Sequence, residues 1–220
     1  MENKREQTVV VYEMYPSIQG ESSWAGIPCY FIRLTGCPLR CRWCDTEYAF
    51  SGGQPMSIPE VVSSAVDSAI DLVQVTGGEP LAQLHCPTLC QTLVDSGKTV
   101  LIETAGAHPI DVLPPEVIRI MDLKCPGSGE MDRNLWSNID HLNQRDEVKF
   151  VIADRNDFEW ARDVVREHNL SDRVRSVLFS PIFDELEPRN LVEWILEEKL
   201  QVRFQLQLHK FVWEPTHTGV

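Results

Sequence analysis

The stretch GCPLRCRWCD, residues 36–45, contains three cysteines in a C-x3-C-x2-C spacing. Thiolates ligate iron readily, and a loop this short can place three of them around one corner of an iron–sulfur cube. A [4Fe-4S] cluster has four irons, so Cys37, Cys41 and Cys44 would leave one iron open to another molecule. An apolar, β-branched run at residues 29–35 precedes the loop and predicts a strand that carries the cysteines to the edge of a sheet.

Beyond this loop, short apolar runs alternate with amphipathic stretches. The predicted strands span residues 29–35, 72–76, 99–104, 117–122, 148–152, 174–180 and 202–208, and the predicted helices span 58–70, 87–96, 157–168 and 188–198. Strands separated by helices form βα units, and right-handed crossovers wind such units into a largely parallel sheet. The sheet is then an open doubly wound layer or a curved partial barrel. The sequence has neither G-x-G-x-x-G nor G-K-[ST], which weakens the nucleotide-binding alternative.

Unusual segments follow four successive predicted strands. Cys37 follows the first, the turn at 77–80 (GGEP) the second, Ala105 and Gly106 the third, and Lys124 the fourth. In barrel-like βα folds the chemistry is carried at the carboxyl ends of the strands. We therefore expect these segments to share one face, where the two glycines let the backbone approach a ligand closely.

Composition limits the possible functions. The chain has 220 residues, 43% of them hydrophobic, which suits one domain over residues 1–220. The net charge of -13 provides no basic stripe for nucleic acid, and no apolar run approaches the roughly 20 residues that span a membrane. The polar start MENKREQ has no signal-peptide pattern, so we expect a cytoplasmic protein that acts on small molecules.

Seven cysteines without a secretory signal do not indicate a disulfide framework. Four of them lie outside the loop, namely Cys29, Cys86, Cys90 and Cys125. They could form a second metal site, but free cysteines are commonly buried as small hydrophobic residues, and we favour that role.

The C-x3-C-x2-C loop followed by a GGEP turn resembles the radical S-adenosylmethionine (SAM) superfamily. The resemblance implies a shortened, partial TIM-like βα barrel in which the open iron binds the amino and carboxylate groups of SAM. An electron from the cluster then breaks a carbon–sulfur bond and yields a 5′-deoxyadenosyl radical, while the protein positions the hydrogen to be abstracted. The residues expected to contact SAM are Trp43, Cys44, Asp45, Gly78, Glu103, Asp122, Leu123 and Lys124.

Further segments resemble the 7-carboxy-7-deazaguanine synthase family. They are YPSIQGES (15–22), GIP (26–28), FIRL (31–34), CDT (44–46), MDLKCPGSGE, EVKFVIADRNDFEWA and VRFQLQLHK. This resemblance implies a homodimeric lyase that uses Mg²⁺ and an electron donor such as flavodoxin or ferredoxin. The reaction is conversion of 6-carboxy-5,6,7,8-tetrahydropterin to 7-carboxy-7-deazaguanine with loss of ammonia, in the biosynthesis of queuosine and other 7-deazapurines.

The same resemblance suggests roles for individual residues. Thr46 matches the Mg²⁺ ligand of the family, with substrate oxygens and water completing the shell of a hard cation. The expected substrate contacts are Ile18, Gln19, Gly20, Arg33, Thr76, His209 and the terminal Val220. Arg33 has a simpler alternative, a buried ion pair with a protein carboxylate.

Two other functions remain open at this point. One is a different radical SAM enzyme, such as a glycyl-radical activase, which acts on a protein glycine. The other is a zinc-stabilised interaction module, in which histidines complete the cysteine triplet.

Overall fold

Nine strands form one sheet in the computed structural model, which describes residues 7–214 and 217–219. In chain order they are β1 (Thr8–Ile18), β2 (Pro28–Leu34), β3 (Gln54–Ser57), β4 (Leu72–Gly77), β5 (Thr99–Thr104), β6 (Ile118–Asp122), β7 (Glu147–Ile152), β8 (Ser176–Pro181) and β9 (Arg203–Phe204). The spatial order is β3-β1-β2-β4-β5-β6-β7-β8-β9. All neighbours from β2 to β9 pair in parallel, whereas β1 pairs antiparallel with both β2 and β3.

Five of the six α-helices in the described ranges lie between strands, and the last follows the final strand. They are α1 (Ile58–Asp67), α2 (Cys86–Asp95), α3 (Arg155–Glu167), α4 (Leu170–Arg173), α5 (Pro188–Glu198) and α6 (His209–Val212). Local chemistry explains where the longer helices begin and end. Ser57 and Glu60 form a reciprocal capping box at the start of α1, and Asp154 accepts the amide of Asp157 at the start of α3. Lys199 closes α5 in a left-handed conformation.

The seven predicted strands and four long helices all exist, with boundaries that shift by a few residues. The largest change is at β9, which has only two residues where seven were predicted, because Gln205 and Leu208 hydrogen-bond to residues 20–22 after β1. The antiparallel β1 and β3 were not predicted. β1 alternates only partly between buried and exposed positions, and the short edge strand β3 contains a proline, so neither has a clear strand pattern.

The sheet has two apolar faces. One packs against the helices in the main core, which includes Phe150, Phe158 and Phe179. The other encloses a smaller cluster inside the curve of the sheet, formed by Cys29, Phe31, Leu72, Leu101, Ile118, Ile120 and Leu178. Within the described residues, no strand pairing joins β9 to β3. The predicted partial βα barrel is therefore confirmed. None of the helices in the described ranges is both long and apolar enough to span a bilayer.

The four cysteines outside the loop are all buried, as predicted. Cys86, Cys90 and Cys125 belong to the main core, and Cys29 to the smaller cluster. Burial raises the pKa of the Cys29 thiol to about 12.

A buried ion pair joins β6 to the loop before β7, at the end of the sheet away from the cysteine loop. Asp146 accepts the backbone amide of Arg119 at 2.9 Å, the Arg119 guanidinium at 3.3 Å and the amide of Asn143 at 3.0 Å. Removing one partner leaves an uncompensated charge in the interior, which costs several kcal/mol.

We predict that Asp146→Ala lowers the free energy of unfolding by about 3–5 kcal/mol, measured by urea denaturation followed by circular dichroism. Glu167→Ala, at an exposed position near the end of α3, is the control and should change it by less than about 0.5 kcal/mol. A loss for Asp146→Ala as small as that of the control would contradict a structural role for this pair.

Candidate active site and cysteine loop

A cavity of about 680 Å³ opens at the carboxyl ends of the parallel strands. Its lining includes Cys37, Gly78, Ala105 and Lys124, one residue from each of the four segments predicted to share a face. The lining contains four basic side chains, Arg33, Lys124, Lys149 and Lys210, and four acidic ones, Glu21, Asp45, Glu103 and Asp122. In a chain with 33 acidic and 20 basic residues, this balance favours ligands that carry both charges.

The three cysteines lie half-buried on one loop after β2, and all of them line the cavity. The loop is held from outside by the segment at 128–130. The amide of Arg42 donates to the Ser128 carbonyl at 3.0 Å, and the amide of Arg40 donates to Glu130 at 2.7 Å. Burial raises the pKa of the Cys37 and Cys41 thiols, and the nearby Lys124 ammonium acts in the opposite direction.

The turn after β4 packs directly against the cysteine loop. A Cβ at Gly77 would lie 2.0 Å from the Leu34 carbonyl oxygen, and one at Gly78 would lie 2.3 Å from that of Gly36. The amide of Glu79 donates to the same Gly36 carbonyl at 2.8 Å. Glycine is therefore required here for contact between two backbone segments, in addition to the close ligand approach expected at Gly78.

Glu79 holds this turn in place through buried hydrogen bonds. Its carboxylate is fully buried and accepts the Ala105 amide at 2.6 Å, the Leu81 amide at 2.9 Å and the Thr104 hydroxyl at 2.9 Å. Burial raises the pKa of this carboxyl against these hydrogen bonds. Glu79 thus ties the end of β4 to the end of β5.

The expected SAM contacts are distributed around the cysteines. Trp43 lines the cavity, with the Arg42 guanidinium 5.0 Å from its ring centroid. Lys124 and Asp122 also line it and form an ion pair at 2.9 Å. Leu123, in contrast, does not line the cavity: its side chain is buried in the main core and its amide donates to the Lys149 carbonyl at 2.9 Å, so only its carbonyl could meet a ligand.

Asp45 and Thr46 follow the last cysteine and line the same cavity. Asp45 accepts a hydrogen bond from Gln207 at 3.1 Å and lies 3.4 Å from the Lys210 ammonium. The Thr46 hydroxyl lies 3.7 Å from the Cys44 sulfur. This loop therefore contacts the C-terminal segment on the opposite wall.

Most of the expected substrate residues line the same cavity. Ile18, Gln19 and Gly20 line the cavity at the end of β1, and the Gln19 side chain donates to Gln74. Thr76 donates to Glu103 at 3.0 Å. Glu103, expected beside SAM, therefore hydrogen-bonds to a residue of the substrate set.

Arg33 is held on two sides. Its Nε donates to Glu13 at 2.7 Å and its Nη2 donates to the Tyr15 hydroxyl at 2.9 Å. The ion pair considered as an alternative is thus present, although Arg33 still lines the cavity. A guanidinium has five N–H groups, so these two bonds leave donors for a ligand.

The C-terminal segment closes one wall. His209, His217, Thr218 and Gly219 line the cavity. The expected contact at Val220 lies outside the described residues.

Several cavity residues were not predicted from sequence. Glu21 forms a buried ion pair with Lys149 and accepts a hydrogen bond from Gln207, and Gln74 accepts one from Gln19. The signal that could have found Gln74 and Lys149 is a polar side chain in the middle of an otherwise apolar strand, in LVQVTG and EVKFVI. Although burial opposes its charge, Glu21 and Glu103 hold the pKa of Lys149 above its usual range.

No group of three or more His, Cys, Asp or Glu side chains in the described ranges is arranged to hold a single metal ion. Three thiols spread along one loop suit a larger cluster with several irons.

Comparison with known proteins identifies the relatives of this chain. Residues 31–195 match the model of the radical SAM superfamily. The curated 7-carboxy-7-deazaguanine synthase of Koribacter versatilis is 46% identical over 224 residues, covering 96% of this chain and 99% of the relative, and that of Chlorobaculum tepidum is 44% identical, covering 96% of each. The crystal structure of QueE from Escherichia coli aligns with a TM-score of 0.76 at 24% identity, over 92% of this chain and 95% of that one.

Gly78→Ala is predicted to displace the cysteine loop, because the new Cβ meets the Gly36 backbone and lies 2.8 Å from the Cys37 Cβ. We expect the iron and sulfide bound after anaerobic reconstitution to fall to less than about half of the wild-type content. Gly97→Ala, where a Cβ meets nothing within 4 Å but φ is +84°, should lower stability by about 1–2 kcal/mol and keep the cluster. Equal iron contents in the two variants would contradict this account.

Burial lowers the pKa of the His209 imidazole, against the opposing attraction of Glu21 and Asp45. The folded protein therefore binds this proton less readily than the unfolded chain. The contribution of this shift to folding stability is fully present above about pH 6.5, the ordinary pKa of histidine. It is lost as the pH falls through the lower pKa of the folded protein. We expect the His209 ring resonances, assigned by their loss in His209→Gln, to titrate below about pH 6.5. A midpoint at or above that value would contradict the burial of this ring.

Proposed function

The chain belongs to the 7-carboxy-7-deazaguanine synthase family of radical SAM enzymes, and from this premise we propose how its residues carry out the reaction. The reaction converts 6-carboxy-5,6,7,8-tetrahydropterin to 7-carboxy-7-deazaguanine with loss of ammonia. We propose that one domain performs it. The observation that carries the proposal is that Cys37, Cys41 and Cys44 open into the same cavity as Gln19, Arg33 and Thr76.

The cysteine loop fits a [4Fe-4S] cluster. Three half-buried thiols of one loop face a common cavity, and the glycine turn after β4 supports that loop from below. When bound, the cluster and SAM supply the radical that abstracts hydrogen. We propose that Cys37, Cys41 and Cys44 hold the cluster.

Residues around the cysteines suit the two charges of the methionine end of SAM. Lys124 is cationic in the folded protein, because Asp122 holds its pKa above the usual range although burial opposes its charge. We propose that Lys124 and Asp122 offer opposite charges to the carboxylate and ammonium, together with the backbone of Gly78 and Leu123. Trp43, Cys44 and Asp45 would line the adenosine side.

The deeper half of the cavity suits the pterin. Gln19 and Gly20 present amide groups, and Arg33 presents a guanidinium whose orientation is held by Glu13 and Tyr15. A fixed guanidinium binds a carboxylate well. We propose that Ile18, Thr76, His209 and Val220 complete this pocket.

Glu103 is better assigned to the pterin than to SAM. Its hydrogen bond from Thr76 supports this assignment, and burial raises its pKa despite the nearby Lys149 ammonium. A buried carboxyl group gains from every donor that a ligand supplies. The amino and ring N–H groups of a pterin are such donors.

We propose that Mg²⁺ binds at Thr46. One hydroxyl is a weak ligand for a hard cation, so substrate oxygens and water must provide most of the shell. The position of Thr46 on the cavity wall, two residues after Cys44, supports a metal that is shared with the substrate.

Further proposals concern partners and location. We propose a cytoplasmic homodimer that receives electrons from flavodoxin or ferredoxin. Exposed apolar side chains near the cavity support an interface there, with Phe211 61% and Val212 55% exposed. Sedimentation equilibrium tests the dimer, and a monomer at all micromolar concentrations would contradict it.

Turnover tests the reaction directly. Reduced, anaerobically reconstituted protein should form 7-carboxy-7-deazaguanine and ammonia from the carboxytetrahydropterin only when SAM is present. The Cys37→Ser, Cys41→Ser and Cys44→Ser variants should each lose iron and more than about 99% of activity, because one missing thiolate leaves the cluster incompletely held. Stoichiometric zinc without sulfide would contradict the proposal, as would glycyl-radical formation in a protein substrate without pterin turnover.

Thr46→Ala is predicted to raise the Mg²⁺ concentration needed for half-maximal activity by about tenfold, the effect of losing roughly 1.4 kcal/mol of binding free energy. Ser51→Ala, at an exposed position in the same loop, should leave that concentration unchanged. Activity that is indifferent to Mg²⁺ in both variants and the wild type would contradict the metal assignment.

A further inference from the structure

The open side of the sheet is bridged by polar contacts. The amide of Leu208, after β9, donates to the carbonyl of Gly20, after β1, at 2.8 Å. Residues 19–22 thus meet residues 205–208 although the chain positions are far apart. The proposed substrate residues Gln19, Gly20 and His209 all lie along this contact.

Ser22 has an unusual backbone conformation at this contact. Its φ is +64°, in the left-handed region that side chains other than glycine rarely adopt, and it is 3% exposed. The Ser22 hydroxyl accepts the amide of Trp24 at 3.1 Å, which stabilises the turn only locally. The backbone of Gln19 pairs with Gly26 and Ile27 at 2.8 Å and closes the turn around Ser22, but neither bond involves the Ser22 amide.

The side-chain amide of Gln205 constrains Ser22 directly. Its Oε1 accepts the Ser22 amide at 2.6 Å, and its Nε2 donates to Glu21 at 3.1 Å. Gln205 is itself held in place. It is 6% exposed, and its backbone N–H donates to the Phe179 carbonyl at 3.0 Å. The side-chain amide of Gln205 is therefore held in place and hydrogen-bonds to two successive residues, Glu21 and Ser22.

Neighbouring residues of the same segment bond to other partners. The amide of Ser23 donates to the buried carboxylate of Glu147 at 3.1 Å. The carboxylate of Glu21 also accepts hydrogen bonds from Lys149 and, at 2.9 Å, from Gln207. Burial opposes the negative charge of Glu21, but Lys149 keeps the pKa of Glu21 low. Gln205 therefore donates its hydrogen bond to an anion.

We propose that Gln205 is a positioning residue for the substrate: it holds Ser22 in the left-handed conformation and thereby sets the orientation of Gln19 and Gly20. This inference rests on the proposed function, because it treats those two residues as pterin contacts. Without the amide of Gln205, Ser22 returns to negative φ in part of the population. Only the remaining fraction binds substrate, so the apparent affinity falls by that fraction.

The test compares Gln205→Ala with Gln205→Ala combined with Ser22→Gly. We expect the KM for the carboxytetrahydropterin to rise about tenfold in the single variant, with kcat within about twofold, because saturating substrate holds the segment in place. Glycine adopts φ > 0 without a clamp, so the double variant should recover to within about threefold of the wild-type KM.

Lys199→Gly is the matched control for rescue. Lys199 also has a positive φ, +51°, but lies at the exposed end of α5. Adding it to Gln205→Ala should raise Tm and leave KM high. Rescue by Lys199→Gly, no rescue by Ser22→Gly, or an unchanged KM in Gln205→Ala would each overturn the proposal.

A second readout does not require cofactor. Hydrogen–deuterium exchange of the cofactor-free protein should be at least about fivefold faster in a peptide covering residues 19–27 of Gln205→Ala, and unchanged in Gln201→Ala, at an exposed position before β9. Equal exchange in both variants would overturn the proposal. If Gln205→Ala does not fold, Gln205→Met retains the side-chain volume and is subject to the same criteria. A wild-type protein that does not turn over the pterin would contradict the proposed function, while the exchange experiment would still decide the role of Gln205 in the loop.

Discussion

The site depends on direct backbone contact between the cysteine loop and the glycine turn after β4. Gly77 and Gly78 lie so close to Leu34 and Gly36 that no side chain fits between them. Because β2 and β4 are parallel neighbours, their carboxyl ends lie side by side, and the two loops share one edge of the sheet. Glu79 then joins this pair to β5 through buried hydrogen bonds. The cysteines are therefore placed by the sheet as well as by their own loop.

A second constraint comes from the incomplete barrel. A closed barrel would satisfy the backbone groups of its edge strands by pairing, whereas here the described sheet stays open between β9 and β3. Side chains bridge the opening instead, with Glu21, Gln205 and Gln207 at its centre. A polar bridge of this kind leaves a wide cavity whose acidic and basic side chains are equal in number.

The fold could be predicted where the sequence pattern is local. Alternation of apolar strands and amphipathic helices identified all seven parallel strands and the four long helices, because burial on both faces makes such strands continuously apolar. The hairpin strand β1 and the edge strand β3 were missed, since strands exposed on one side or containing proline have a weaker pattern. The predicted end of β9 was wrong because the residues after Phe204 hydrogen-bond to residues 20–22 and leave the sheet.

The sequence by itself determined the cysteine triplet, the GGEP turn and the family, because these depend on residues close together in the chain and on their spacing. Only the tertiary structure decided which charges face one another in the cavity. Glu21 meets Lys149 across 128 positions and Gln205 across 184. Such pairs form because burial makes an unpaired charge costly, and no local pattern records which distant strand will supply the partner. Glu103 illustrates the same limit. Its position at a strand end was predictable, whereas the hydrogen bond that it accepts from Thr76 follows from the parallel pairing of β4 with β5.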